Sequence, residues 1–146
     1  MMALQGKVAL VTGASRGIGR AIAEAFAEGG ADVAVNYRSH PSEAEAVAEN
    51  IRAAGRRALL CPADVSDRAA VERMVEQAMA TFGRLDIVIA NAAFSERELF
   101  FEADLEKFER AIDVTMWGAF NIFRAAARAM IRQGEGGTLL GDMQAS

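Results

Sequence analysis

The chain has 146 residues, of which 52% are hydrophobic and 25% charged, with a formal net charge of −4. That length and apolar fraction suit one domain with its own core and exclude a disordered or low-complexity chain. The longest apolar runs are too short for a membrane span, residues 1–5 carry no basic leader pattern, no Lys/Arg cluster offers a nucleic-acid surface, and the single cysteine, Cys61, allows neither an intrachain disulfide nor a structural zinc site, which fits a reducing, cytoplasmic setting.

Lys7–Thr12 is contiguous, apolar and Val-rich, and predicts a buried strand. A glycine-rich turn, Gly13–Gly19, leads into a helix running from Ile18 to Glu28, with Ile22, Ala25 and Phe26 on one face and Gly29-Gly30 as its stop. Asp32–Asn36 predicts a second strand, and Pro41 opens a helix with Ala44, Val47, Ile51 and Ala54 inward. Arg57–Cys61 predicts a third strand. Ser66 is expected to cap the next helix, with Asp67 in its first turn and Val71, Met74, Val75, Ala78 and Phe82 facing the core. Leu85–Ala90 predicts the fourth strand and Asp104 the start of another helix. From Ile112 a long helix carries Met116, Ala119, Phe120, Phe123, Ala127, Met130 and Ile131. Gly134, Gly136 and Gly137 end it, and Thr138–Leu140 begins a fifth strand.

Fully apolar strands alternating with helices predict an α/β fold: one domain over residues 1–146, built on a doubly wound parallel sheet. One βαβαβ half is complete in residues 7–61. The other begins at Leu85 and stops soon after its second strand, where a full dinucleotide-binding Rossmann fold continues to a sixth strand, so the fold is expected to be incomplete at its C-terminal end.

The turn Thr12-Gly13-Ala14-Ser15-Arg16-Gly17-Ile18-Gly19 stands where the first strand meets the first helix. Gly13 can supply the angles of a tight turn, Gly17 lacks a side chain where a pyrophosphate would approach, and Gly19 lets helix and strand pack closely. The free N–H groups and the positive helix end then face the anion. The spacing is not that of the commonest G-x-G-x-x-G fingerprint, and no Gly-Lys-Ser/Thr follows to make a Walker loop.

This turn is similar to the T-G-x-x-x-G-x-G motif of the short-chain dehydrogenase/reductase family, including its 3-oxoacyl-thioester reductases and glucose dehydrogenases. Asp64-Val65 resembles the family's Asp-Val pair at the adenine ring. Asn91-Ala92-Ala93 resembles its Asn-Asn-Ala-Gly motif, with Ala90 and Ala93 as departures, and Phe82-Gly83-Arg84-Leu85-Asp86 its lead-in to the fourth strand. The resemblance runs from Lys7 to Gly137. It implies a cofactor set of Gly13, Ser15, Arg16, Gly17, Ile18 and Gly19 in the turn, Asn36, Arg38 and Ser39 after the second strand, Asp64 and Val65 after the third, and Asn91, Ala92 and Ala93 after the fourth.

NAD sites place a carboxylate about 20 residues beyond the glycines to receive the ribose 2′-OH. Here the second strand ends Asn36-Tyr37-Arg38-Ser39, without an acid, and Arg38 is suited to a 2′-phosphate. Asp32 precedes the strand's apolar core and is a poor ribose ligand. Family members that prefer NADP often carry a base at the position of Arg16, so two arginines and no acid favour NADP over NAD.

The resemblance implies hydride transfer between nicotinamide and a carbonyl or alcohol carbon. It also implies a Ser bonded to the reacting oxygen and a Tyr-x-x-x-Lys, with Tyr as general acid/base and Lys lowering its pKa. In register with Gly136-Gly137-Thr138-Leu139-Leu140 the Ser would fall near Met143 or Gln144, and Ser146 is the nearest hydroxyl. The one tyrosine, Tyr37, lies at the adenosine end and is followed at the fourth position by Pro41; the only lysines are Lys7 and Lys107. The pair is therefore absent from these residues. A family Asn of the proton relay corresponds to Thr115, which can still hydrogen-bond and is the one catalytic position retained. Gly141–Ser146 departs from the pattern, with Asp142 where a buried strand calls for an apolar residue, so truncation or a frameshifted end is expected rather than a new site.

His40 has no cluster to make it a metal ligand, no metal site is expected, and Cys61 reads as a small buried hydrophobe. Trp117, Phe120 and Phe123 read as core by spacing, while the family uses this long helix, residues 112–133, in homo-oligomers. The expected function is an NADP-dependent short-chain oxidoreductase acting on a ketone, 3-oxoacyl thioester or sugar alcohol, with these residues an inactive cofactor half. The alternatives are a non-catalytic nucleotide-binding or dimerising module and a poorly folding fragment.

Overall fold

Successive side chains of a strand face opposite sides of its sheet, so a strand apolar at every position has to be covered twice. In the computed structural model, which describes residues 2–142, Val8–Val11, Asp32–Tyr37 and Ile87–Ala90 are used in this way, whereas Ala58–Pro62 is only partly covered and Thr138–Gly141, at the sheet edge, is exposed along its length. Strands β1 (Val8–Val11), β2 (Asp32–Tyr37), β3 (Ala58–Pro62), β4 (Ile87–Ala90) and β5 (Thr138–Gly141) form one parallel sheet in the order β3-β2-β1-β4-β5. Helices α1 (Gly17–Glu28) and α2 (Pro41–Ala53) cover Val11, Val33, Val35 and Ile89 on one face. Helices α3 (Arg68–Phe82) and α5 (Gly118–Gln133) cover Val8, Leu10, Ala34 and Val88 on the other. Before α5 come a short 3-10 turn (Phe100–Glu102), α4 (Leu105–Ile112) and a π-turn (Asp113–Trp117).

The doubly wound sheet is the expected one, and the departures are local. Asp67, not Ser66, caps α3, accepting the Ala70 N–H at 3.2 Å, because the Ser66 hydroxyl is turned toward Asp64. On α1 the buried residues are Gly19, Ala23 and Ala27, whereas Ala25 is exposed: small residues let this helix lie close on the strands. The largest correction concerns α5. Its buried face is Gly118, Asn121, Ile122, Ala125, Ala126, Ala129 and Met130. Met116, Phe120 and Ile131 are exposed, as is Trp117, which meets Phe120 edge to face at 5.7 Å. Of the three aromatics read as core, only Phe123 packs against it. The helix is apolar over more than one face, and the alanine side, which permits close packing on α3 and β4, is the one buried.

At the amino end of the sheet two aspartates hold neighbouring strands. Asp32 accepts the Arg57 N–H at 2.9 Å and pairs with the guanidinium groups of Arg57 at 2.8 Å and Arg56 at 3.1 Å. Asp86 accepts the Val8 N–H at 2.9 Å and pairs with Arg84 at 2.7 Å. Burial alone would raise both carboxyls, but these bonds outweigh it and hold both below the usual carboxylate range.

Two outcomes are expected. Ile122→Ala, in the core, should cost about 2–5 kcal/mol in urea unfolding and Ile131→Ala less than about 0.5 kcal/mol; equal losses would contradict the burial assigned to α5. Because Asp32 and Asp86 have lowered folded-state pKa values, their stabilisation is complete above an unfolded value of about 3.9 and is lost as pH falls through the folded values. Asp32→Asn should therefore lower the urea midpoint at neutral pH and shrink its fall on acidification; an unchanged acid profile would contradict this.

Candidate nucleotide site

The strand order reverses at β1, whose neighbours β2 and β4 carry the chain to opposite faces, so the loops after β1 and β4 separate and leave a crevice at the carboxyl ends of the strands. That crevice is a cavity of about 530 Å³. Gly13 and Ser15–Ile18 line its centre, Asn36–His40 and Ala63–Val65 one end, and Asn91–Phe94, Val114 and Asp142 the other. All the cofactor residues expected from the sequence face it except Gly19, which is buried beneath the turn.

Part-buried hydrogen bonds hold the turn. The Thr12 hydroxyl accepts the N–H groups of Asn91 and Ala92, each at 3.0 Å. The Asn91 side-chain amide donates back to the carbonyls of Thr12 and Gly13, each at 3.1 Å. Across the crevice, Asn36 accepts the Gly13 N–H at 3.1 Å on its side-chain oxygen and donates to Cys61 and Ala63 at 3.0 and 3.1 Å. Asn36 and Asn91, expected as cofactor contacts, thus serve here as braces. Gly19 completes the contact: a Cβ there would run into the Gly13 carbonyl and lie 2.5 Å from the Asn91 amide.

What the braces leave open fits a diphosphate. The first intrahelical bond of α1 runs from Arg20 to Arg16, so the N–H groups of Gly17, Ile18 and Gly19 begin the helix without intrahelical partners. No acid sits in that first turn, and Arg16 caps it without a side-chain hydrogen bond. Gly17 has φ +63°, and the space where its Cβ would stand is empty. The nearly buried Ser15 hydroxyl makes no hydrogen bond among the described residues and lines the cavity.

Beyond β3 Asp64 accepts the Ser66 hydroxyl at 2.7 Å and N–H at 3.0 Å, and pairs with Arg110 of α4 at 2.8 Å. Burial works to raise the Asp64 carboxyl, but the Ser66 and Arg110 bonds hold it below the ordinary range. Arg38 is exposed and lies 3.7 Å from the same carboxylate. The Val65 carbonyl accepts the Asn121 amide at 3.0 Å, and Gly118 leaves the room this approach needs. At the opposite end Thr115 accepts the Phe94 N–H at 3.4 Å, while its neighbour Val114 lines the cavity. Cys61 is buried and its thiol pushed up to about 12, consistent with a core role. Asp32 lies at the amino end of its strand, away from the cavity. Met143, Gln144 and Ser146 lie outside the described residues.

Sequence reasoning missed Arg110, Asn121 and Gly118 as supports of the loop after β3, and read Thr12 only as part of a motif. The signals were a polar residue and a glycine on the inner side of an otherwise apolar helix, and a threonine ending a buried strand. Gly19→Ala should lower the unfolding free energy by about 1–3 kcal/mol without any nucleotide present. A variant as stable as the parent in urea would mean that the two loops do not meet there.

Comparison with known proteins agrees with this geometry. A family model described as short chain dehydrogenase matches residues 7–140. L-rhamnose 1-dehydrogenase (NAD(P)(+)) of a Sphingomonas species is 40% identical over 96% of the chain and 55% of its own length. A 3-oxoacyl-[acyl-carrier-protein] reductase of Staphylococcus aureus is 41% identical over 89% of the chain and 53% of its own length. The crystal structure of a short chain dehydrogenase from Burkholderia cenocepacia in complex with NADP superposes with a TM-score of 0.89 at 40% identity, covering 94% of this chain and 55% of that one. The chain thus spans about half the length of the curated relatives it matches. With its sheet, its glycine turn and these matches in agreement, the chain belongs to the short-chain dehydrogenase family.

Proposed function

We propose that these residues form the nucleotide-binding half of an NADP-dependent oxidoreductase that transfers hydride between nicotinamide and a small carbonyl or alcohol substrate. The observation that carries this reading is the braced turn: free N–H groups of Gly17–Gly19, an open Gly17 and an unengaged Ser15 hydroxyl converge on one cavity. In it Gly13–Ile18 would hold the diphosphate, Asp64 and Val65 the adenine, Arg38 and Ser39 the ribose with its 2′-phosphate, and Asn91–Ala93 the nicotinamide half. The bound nicotinamide supplies or accepts the hydride; the chain binds, orients and shields it. Preference for NADP is supported by Arg38, exposed at the end of β2 where no carboxylate stands, and by Arg16 beside the diphosphate position. The substrate class is supported by relatives named for a sugar and for an acyl thioester.

The chain contains no Tyr-x-x-x-Lys. A general acid/base contributes typically about 10²–10⁴ in rate, so the 146-residue chain is expected to bind nucleotide with little or no turnover. A second reading, a nucleotide-binding module that pairs with another chain through residues 112–133, is favoured by the exposed Met116, Trp117, Phe120 and Ile131.

Titration of the purified chain, followed by NADPH or NADH fluorescence, should give saturable binding with NADPH the tighter. Arg38→Ala should weaken NADPH about tenfold and leave NADH within about twofold. No saturable signal with either would overturn the nucleotide reading, and tighter NADH would overturn the role given to Arg38.

A further inference from the structure

We infer that Arg110 is a positioning residue for nucleotide choice: by engaging Asp64 from behind the cavity, it leaves the Arg38 guanidinium available to a 2′-phosphate. This rests on the nucleotide reading above and deepens it.

Two guanidinium groups converge on one oxygen of Asp64, Arg110 at 2.8 Å and Arg38 at 3.7 Å. The other oxygen is filled by the Ser66 hydroxyl and N–H. Arg110 also donates to the Ser66 hydroxyl at 3.0 Å, so its planar fork grips the carboxylate and its supporting serine together. Asp64 and Arg38 line the cavity, and Arg110 does not. A charge-assisted bond at 2.8 Å outcompetes a contact at 3.7 Å, which is beyond hydrogen-bonding distance. The hydrogen bonds of the carboxylate are thereby committed to Arg110 and Ser66, and Arg38, exposed, keeps only a longer ion pair with it.

Charge makes the consequence specific to one nucleotide. Asp64, Arg38 and Arg110 together carry one net positive charge, and removing the charge of Arg110 leaves none. Asp64 would then have Arg38 as its cationic partner, and an approaching phosphate would meet a carboxylate no longer neutralised from behind. A ribose that carries only hydroxyls would feel little of this. Nothing local marks the pairing in the sequence, because Arg110 stands 46 residues from Asp64 and in an exposed helix where an arginine is ordinary.

The test is a set of NADPH and NADH fluorescence titrations on the parent chain, Arg110→Gln, Arg110→Lys and the double variant D64N/R110Q, each checked for folding by circular dichroism. Arg110→Gln should raise the Kd for NADPH about tenfold and leave that for NADH within about twofold. Arg110→Lys should keep most of the preference. The double variant restores the net charge of the parent cluster and should return the ratio of the two Kd values toward that of the parent. If Arg110→Gln does not fold, Arg110→Lys carries the test, a preserved ratio supporting the inference and a collapsed one overturning it. Equal weakening of both nucleotides in Arg110→Gln would reduce Arg110 to a prop for α4, and an unchanged ratio would overturn its role in selectivity. A parent chain that binds neither nucleotide would instead overturn the underlying reading.

Discussion

The Thr12 hydroxyl receives two N–H groups from the start of the loop that follows β4, and the Asn91 amide returns two bonds to the loop that follows β1. These loops leave the sheet on either side of its switch point, where they would otherwise part. The exchange fixes the spacing of the crevice and leaves the N–H groups of Gly17–Gly19 and the Ser15 hydroxyl outside it. Asn36 does the same on the other side, tying the β1 loop to the end of β3. The turn that carries the start of α1 and the Ser15 hydroxyl is positioned by this lattice. Partial burial of these bonds raises the cost of breaking them, since a shielded N–H that loses its partner is poorly compensated by water.

The electrostatics divide along the sheet axis. At the amino end Asp32 and Asp86 are bonded to strand N–H groups and arginines, a stabilising arrangement with no open cavity. At the carboxyl end Asp64 and Asp142 line the open cavity with Arg16 and Arg38, and Arg110 pairs with Asp64 from outside it.

Strand and helix order, the glycine turn and most of the residues lining the crevice were legible in the sequence, because contiguous apolar runs and glycine spacing are local signals that tertiary structure rarely overrides. Roles within the site were less so. Asn36 and Asn91 have the right chemistry for a cofactor and the right positions to face one; only the partners show that their amides are spent on backbone. The inner face of α5 was misread because the helix carries apolar residues around much of its circumference, and periodicity alone does not choose between an alanine face and an aromatic one. Serine and aspartate cap equally well, so local sequence does not separate Ser66 from Asp67 as the cap of α3, and the choice is made by Asp64, which holds the Ser66 hydroxyl.

Residue-resolved amide exchange tests the braced turn most directly. The N–H groups of Gly13, Ala14, Asn91 and Ala92 are bonded inside the lattice, and those of Gly17, Ile18 and Gly19 begin the helix without intrahelical partners. The first set should be protected in the nucleotide-free chain, and the second should exchange quickly until NADPH is added and then slow. Equal, rapid exchange of both sets without nucleotide, or no slowing of Gly17–Gly19 at saturating NADPH, would contradict a preformed diphosphate cradle.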